Sequence, residues 1–349
     1  MFEKITEKFS RVFNKEKNQE YTSCRHLHGG MTFEFNSVRT CCSNKRGVTF
    51  VSDYKGGPID LKEIAKKRKI VIEDCKKGIL PENCKGCVEL ETKKWDHDGL
   101  IDEIYFLHWD HCNCGCVYCL QREHGEFLLT ESKKSRHYDV YPIISALYDK
   151  KMISKNVHVE LIGGDLAMLD ETNPLIDLFV SHGVGRMSFH SSAIDFCTGL
   201  EKALRETNAD FDFALDCGCS ETYRKIKQTD SFDKVVANLT RYASCHETAP
   251  SRMVSKYILV DGLNDNIEEV ERWLQLTKKI GIMNCKIDVN FRRFFSECGH
   301  SNPTVPEHYY EIFDYFYRRA KELGLYECCW EFTKQVMECG GTPEGYKNN

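Results

Sequence analysis

Four cysteines fall within eight residues, at Cys112, Cys114, Cys116 and Cys119, and thiolates at that density are first of all metal ligands. The spacing Cys112-x3-Cys116-x2-Cys119, with Tyr118 just ahead of the last cysteine, lets one short curved loop set three thiolates on three corners of an iron–sulfur cube. Cys114 adds a fourth sulfur, so a closed tetrahedral zinc site is the competing chemistry. A second zinc arrangement pairs Cys84-x2-Cys87 with Cys116-x2-Cys119 as a ribbon with a long insertion.

The rest of the chain sets the setting for those thiols. It has 349 residues, 41% of them hydrophobic and 29% charged, which suits one large α/β domain with a small appendage. A net charge of −5 gives no footprint for nucleic acid, and Lys66-Lys67-Arg68-Lys69 reads as a solvated helix face. Met1 to Glu20 places Phe2, Ile5, Phe9, Val12 and Phe13 on one helical face, with no secretory pattern. No run of about 18 apolar residues exists to span a bilayer. Nineteen cysteines without a secretory signal therefore point to a reducing cytoplasm and to metal rather than disulfides.

The elements that must position the thiols follow from periodicity. Ile101 to Leu107 reads as a buried strand running straight into the cysteine loop. After it come a helix (Val140 to Met152), a strand (Val157 to Ile162), a helix (Pro174 to Ser181) and a strand (Arg186 to His190). A helix at Leu200 to Glu206, a strand at Phe211 to Leu215, and helices from Ser220 and over Phe232 to Cys245 continue the alternation. A strand at Val254 to Val260, a helix at Ile267 to Ile280, a strand at Cys285 to Val289 and a helix at Pro306 to Leu323 complete it. Six strand–helix units in sequence argue for a parallel sheet with right-handed crossovers. In barrels of this kind the chemistry sits on the loops after the strands.

Three further motifs fall on such loops: Gly163-Gly164-Asp165, Asp216-Cys217-Gly218-Cys219-Ser220-Glu221-Thr222-Tyr223 with Lys225-Ile226-Lys227 behind it, and Ile258 to Asp265 with its Gly-x-Asn turn. With the cysteine triad, they resemble the radical SAM enzymes. The resemblance covers about Tyr21 to Phe295. It implies a partial (β/α)6 TIM-like barrel in an α/β fold, with a small N-terminal cysteine-rich metal-binding subdomain. It also implies a [4Fe–4S] cluster whose open iron is chelated by S-adenosyl-L-methionine, and a 5′-deoxyadenosyl radical from cleavage of the sulfonium. By resemblance Tyr118 lies near the adenine, Gly163, Gly164 and Asp165 flank the methionine end, and Asp216, Lys256 and Ser191 are further cofactor contacts. Asp165 stands where the family carries Glu. Asp216 and Lys256 also suit a structural pair, and Lys256 a surface lysine at a strand start. Cys217 and Cys219 read as core fillers, and Cys328 and Cys329 as helix-end packing, while Cys339 stays unassigned.

Upstream, Cys24, two short strands around Cys41-Cys42, a helix from Ile59 to Glu73 and Cys84-x2-Cys87 look like the auxiliary-cluster segment of twitch/SPASM-type members, displaced to the N-terminal side. Cys24, Cys41 or Cys42, Cys84 and Cys87 are its candidate ligands for a second [4Fe–4S] cluster, with structural zinc as the alternative and Cys75 a buried thiol. The expected division is 1–20, an amphipathic helix; 21–98, the cysteine-rich segment; 99–300, the core barrel; and 301–349, a last helix and tail. The function implied is hydrogen abstraction from a peptide or small metabolite, as an oxidoreductase or modifying enzyme with a reducing partner such as flavodoxin or ferredoxin. A glycyl-radical-enzyme activase and a zinc-stapled binding protein without catalysis are the alternatives. The sequence names no substrate and no catalytic residue beyond the cofactor sites.

Overall fold

A computed structural model describes residues 19–41, 47–119, 122–123, 126–127, 138–290 and 305–329, by backbone alone at 122–123, 126–127 and 327–329. The chain divides into two compact units. One comprises Met1–Trp109, Arg136–Leu161 and His182–Arg186, and the other Asp110–Ser135, Ile162–Ser181 and Met187–Asn349.

In the first unit the elements are β1 (Glu20–Ser23), α1 (Arg25–Gly29), β2 (Gly30–Glu34), β3 (Ser37–Arg39), β4 (Thr49–Val51), α2 (Leu61–Lys76), β5 (Glu91–Lys94), β6 (Ile101–Leu107), and, after the cysteine loop, α3 (Tyr141–Asp149) and β9 (Ile153–Leu161). The small pair β7 (Arg122–Glu123) and β8 (Glu126–Phe127) lies between them in sequence. β6 pairs in parallel with β9 and with β2, and β3 and β4 continue from β2 antiparallel. The cysteine-rich segment therefore shares a sheet with the first core strand. β1 and β5 form an antiparallel pair of their own, bringing Glu20–Ser23 beside Glu91–Lys94. α2 starts at Asp60, whose carboxylate accepts from the Lys62 and Glu63 amides at 2.9 and 3.1 Å. Its buried Arg68 donates to the carbonyls of His26, Leu27 and Gly30, tying α1 and the start of β2 to the helix.

The second unit is the repeating half: α4 (Thr172–Ser181), β10 (Arg186–His190), α5 (Thr198–Glu206), β11 (Asp210–Ala214), α6 (Ser220–Lys227), α7 (Phe232–Ser244), β12 (Met253–Leu259), α8 (Ile267–Ile280), β13 (Asn284–Val289), α9 (His308–Leu323) and β14 (Tyr326–Cys329). β10 to β14 run parallel in chain order. Alternate residues Phe211, Phe213, Tyr257 and Leu259 are buried, and Trp273 of α8 donates to Ser255 of β12 at 2.9 Å, so the helices cover this face. The other face carries Asp212, Lys256, Lys286 and Asp288, with Lys286 ion-paired to Asp212. α8 is stopped by Asn266, which caps the Glu269 amide at 3.0 Å, and by Gly281 at φ 93°.

The architecture is mixed α/β on a mainly parallel sheet, the class of the partial (β/α)6 barrel. One element departs from expectation. Cys328 and Cys329 lie on a further parallel strand, β14, paired with β13, rather than at a helix end. α9 ends at Gly324, φ 72°, and the short turn returns the chain to the sheet edge. Most of the expected N-terminal helix and Cys339 lie outside the described residues.

Candidate active site

The cysteine loop is held by backbone bonds. Gly115 N–H donates to the Lys227 carbonyl at 2.8 Å and Val117 N–H to the Ile226 carbonyl at 3.0 Å, so the last turn of α6 satisfies its free carbonyls on the loop. Cys119 N–H closes a turn onto the Cys116 carbonyl at 3.0 Å. Cys112, Cys116 and Cys119 are half-buried, whereas Cys114 is only 4% exposed. The Cys114 thiol sits between Cys112 and Cys116. Its hydrogen bonds raise its own titration and lower theirs, with the Lys227 ammonium helping to bring Cys116 down to about 6 against the effect of burial.

Gly163-Gly164-Asp165 meets the loop from the other side. A Cβ on Gly164 would stand 1.8 Å from the His111 carbonyl oxygen, so only glycine fits there. Asp165 N–H donates to that same carbonyl at 2.5 Å. The Asp165 side chain is fully buried and accepts from Ala167 N–H at 3.0 Å, Ser191 Oγ at 3.1 Å, Ser192 N–H at 3.0 Å and Ser192 Oγ. Asn113 of the cysteine loop joins this network, accepting from Ser192 Oγ at 3.0 Å and donating to Asp195 at 2.8 Å. The carboxylate expected at the methionine end of the cofactor is thus engaged on all sides in holding three loops together.

Asp216 is likewise engaged. It is fully buried in a left-handed conformation, φ 63°. Its Oδ1 accepts from Ile258 N–H at 2.8 Å, and its Oδ2 takes Tyr118 Oη at 2.5 Å and the Lys227 ammonium. Asn264 of the Gly-x-Asn turn donates to the Asp216 and Ile258 carbonyls at 2.9 and 2.8 Å. Tyr118 therefore points its hydroxyl at Asp216 and Lys227. Lys256 lies on β12 within the field of Lys286, Asp212, Asp288 and Asp216, and burial, with Lys286 next, lowers its ammonium. Cys217 is fully buried, and Cys219 precedes α6 with its thiol on Thr222 Oγ1 at 3.3 Å.

In the first unit, Cys24, Cys41, Cys84 and Cys87 line one cavity together with Thr40 and Gly47. Burial, followed by the neighbouring thiols, pushes Cys24 up to about 11 and Cys84 to about 12. The Asn83 side chain donates to the Gly47 carbonyl at 3.3 Å, and Cys87 N–H to the Cys84 carbonyl at 3.0 Å, fixing the CxxC turn beside the loop after Cys41. Cys42 lies outside the described residues. Tyr21, Cys24, Leu27, Cys75 and Cys84 form the small core here, in which three of five side chains are cysteines. Cys75 is fully buried. Among the described residues, no three His, Cys, Asp or Glu side chains converge closely enough for a single metal ion.

Sequence reading missed Lys227, Asn264, Ser192 and Asn113. Lys227 and Asn264 sat inside quoted motifs and Asn113 inside the cysteine loop. Ser192, next to a named candidate, had no signal of its own.

No family model matches the chain. A curated GTP 3′,8-cyclase of Lactiplantibacillus plantarum is 26% identical over 232 residues, 66% of this chain and 64% of the relative, so the chain matches under two thirds of that protein's length. Among solved structures, Streptococcus suis SuiB aligns with a TM-score of 0.48 at 10% identity over 78% of this chain and 56% of its own. A radical SAM methyltransferase from Sphaerobacter thermophilus aligns with a TM-score of 0.40 at 13% identity over 63% of each chain. The thiol triad and the motifs on successive post-strand loops resemble those of the radical SAM superfamily, and the curated similarity agrees with that resemblance. No helix among the described residues is long and apolar enough to cross a membrane.

Proposed function

We propose that this chain holds a [4Fe–4S] cluster on Cys112, Cys116 and Cys119, binds S-adenosylmethionine beside it, and abstracts hydrogen from a peptide or small-metabolite substrate. The observation that carries the reading is the loop itself. Three thiols are presented from a backbone clamped to the end of α6, while the odd cysteine, Cys114, is turned inward. When bound, the cluster and cofactor would supply one-electron cleavage of the sulfonium and a 5′-deoxyadenosyl radical, chemistry that side chains cannot perform.

The protein's own part is orientation. Gly164 lets the loop after β9 approach His111 closely, and Asp165, with Ser191 and Ser192, fixes that loop against the next one. Gly163, Gly164, Ser191 and Lys256 are the proposed cofactor contacts, and Tyr118, Asp165 and Asp216 support them. A reducing partner of the flavodoxin or ferredoxin type delivers the electron. We further propose that Cys24, Cys41, Cys84 and Cys87 hold a second [4Fe–4S] cluster of the twitch/SPASM kind, an acceptor for an oxidative reaction that zinc could not be. Its support is the assembly of four thiols from three separate stretches of the chain around one cavity.

A nucleotide is the second substrate class, favoured by the similarity to a GTP 3′,8-cyclase, so GTP is the first small molecule to offer. Anaerobic purification with iron and sulfide analysis tests the cofactor reading. Brown protein with roughly eight irons per chain is expected for two cubes. A colourless chain carrying stoichiometric zinc would leave a metal-stapled binding protein instead.

A further inference from the structure

Lys227 is the residue through which the cysteine loop, Tyr118 and Asp216 meet. Its side chain is 4% exposed, at the last position of α6. The ammonium pairs with Asp216, which is fully buried, and donates to Tyr118 Oη at 2.5 Å, lying 5.0 Å from the centre of that ring. The same residue's carbonyl accepts from Gly115 N–H at 2.8 Å, and its neighbour Ile226 accepts from Val117 N–H at 3.0 Å. Gln228, left-handed at φ 56°, turns the chain away immediately afterwards. One residue thus grips the loop with its backbone from below and with its side chain through Tyr118, which directly precedes the ligand Cys119.

We propose that Lys227 is the positioning residue of the core cysteine loop, and that Asp216 serves as its buried counter-charge rather than as a cofactor ligand. The inference rests on the radical SAM reading of the triad. The physical reason is the geometry of the pair. An ammonium and a carboxylate withdrawn together from water hold each other in place, and either one left alone in that position is strongly unfavourable. Asp216 is fixed independently by Ile258 N–H and Asn264, so it forms the immovable end of the pair. Lys227 transmits that fixity to the helix end and to Tyr118.

Four chains test the proposal: wild type, Lys227→Met, Asp216→Asn and the double variant, each reconstituted anaerobically, with Cys112→Ala as the reference for loss of the core cluster. Expected is that each single variant loses iron down to the Cys112→Ala level, about half of the total for two cubes. The reduced-cluster electron paramagnetic resonance signal that shifts on adding S-adenosylmethionine should vanish with it. The double variant, having no unpaired charge, should regain iron and melt at a higher temperature than either single. If Asp216→Asn keeps its iron but binds S-adenosylmethionine at least tenfold more weakly, Asp216 is a cofactor ligand and the proposal falls. It falls too if both singles load and melt like wild type. If wild type itself takes up no iron at the triad, the radical SAM reading fails, whatever the melting temperatures of the unloaded variants show about the ion pair.

Discussion

Replacing Asp165 separates a residue that grips cofactor from one that builds the site. The side chain is fully buried and accepts four hydrogen bonds, from Ala167 N–H, Ser191 Oγ, Ser192 N–H and Ser192 Oγ. A hydrogen bond to a charged acceptor contributes roughly 1.5–3 kcal/mol, and a buried donor left without its partner costs about 1–3 kcal/mol. Asp165→Ala strands the Ala167 and Ser192 amides and frees two hydroxyls that can turn elsewhere, so a loss of roughly 3–6 kcal/mol follows, allowing for non-additivity. Against a typical native stability of roughly 5–15 kcal/mol, that is a large fraction. Asp165→Asn keeps one accepting oxygen but turns an NH2 toward a donor, and should lose about half as much. Urea unfolding with iron retention through gel filtration gives the readout. Both variants should shift the unfolding midpoint and release iron. A variant Asp165→Ala that unfolds like wild type, keeps its iron and binds S-adenosylmethionine weakly would refute the structural role.

The remaining expectations concern single thiols and one imidazole. Cys114→Ala should retain full iron, because Cys114 is turned inward between Cys112 and Cys116; elemental analysis beside Cys116→Ala decides it. Cys84→Ala should lower the melting temperature, since three of the five side chains in that small core are cysteines, and release the proposed upstream metal; a reducible signal surviving in the Cys112→Ala chain would identify that metal as iron. His28 stacks on Trp95 at 4.8 Å, and burial, with His97 and Arg68 behind it, lowers its pKa from 6.5 to about 4. The unfolded chain therefore takes up this proton at higher pH than the folded one. Stability from this group is intact above pH 6.5 and is lost as pH falls toward 4, by at most roughly 3 kcal/mol. Urea midpoints at pH 7 and 4.5 should differ less in His28→Phe than in wild type.

Much of the architecture was legible in the sequence because each strand–helix unit announces itself locally. Ile101 to Leu107 and Ile267 to Ile280 appear with the expected bounds, the first carrying the apolar run Ile104 to Leu107 and the second an amphipathic helix framed by Asn266 and Gly281. β14 was missed because Tyr326–Cys329 is a short edge strand whose identity comes from pairing with β13. The β1–β5 pair joins residues about 70 positions apart, and no local pattern specifies that partner. Within the site, residue types drew attention to Asp165 and Asp216, but burial decides what a carboxylate does. A sequence cannot show that all the lone pairs of an aspartate are already taken.

The most direct measurement is reductive cleavage of S-adenosylmethionine by the anaerobically reconstituted chain, followed as 5′-deoxyadenosine and methionine formed on addition of dithionite. Wild type and Cys114→Ala should both produce them, and Cys112→Ala, Cys116→Ala and Cys119→Ala should not. Equal product from the triad variants and wild type, or none from a wild type fully loaded with iron, would contradict the assignment of the loop.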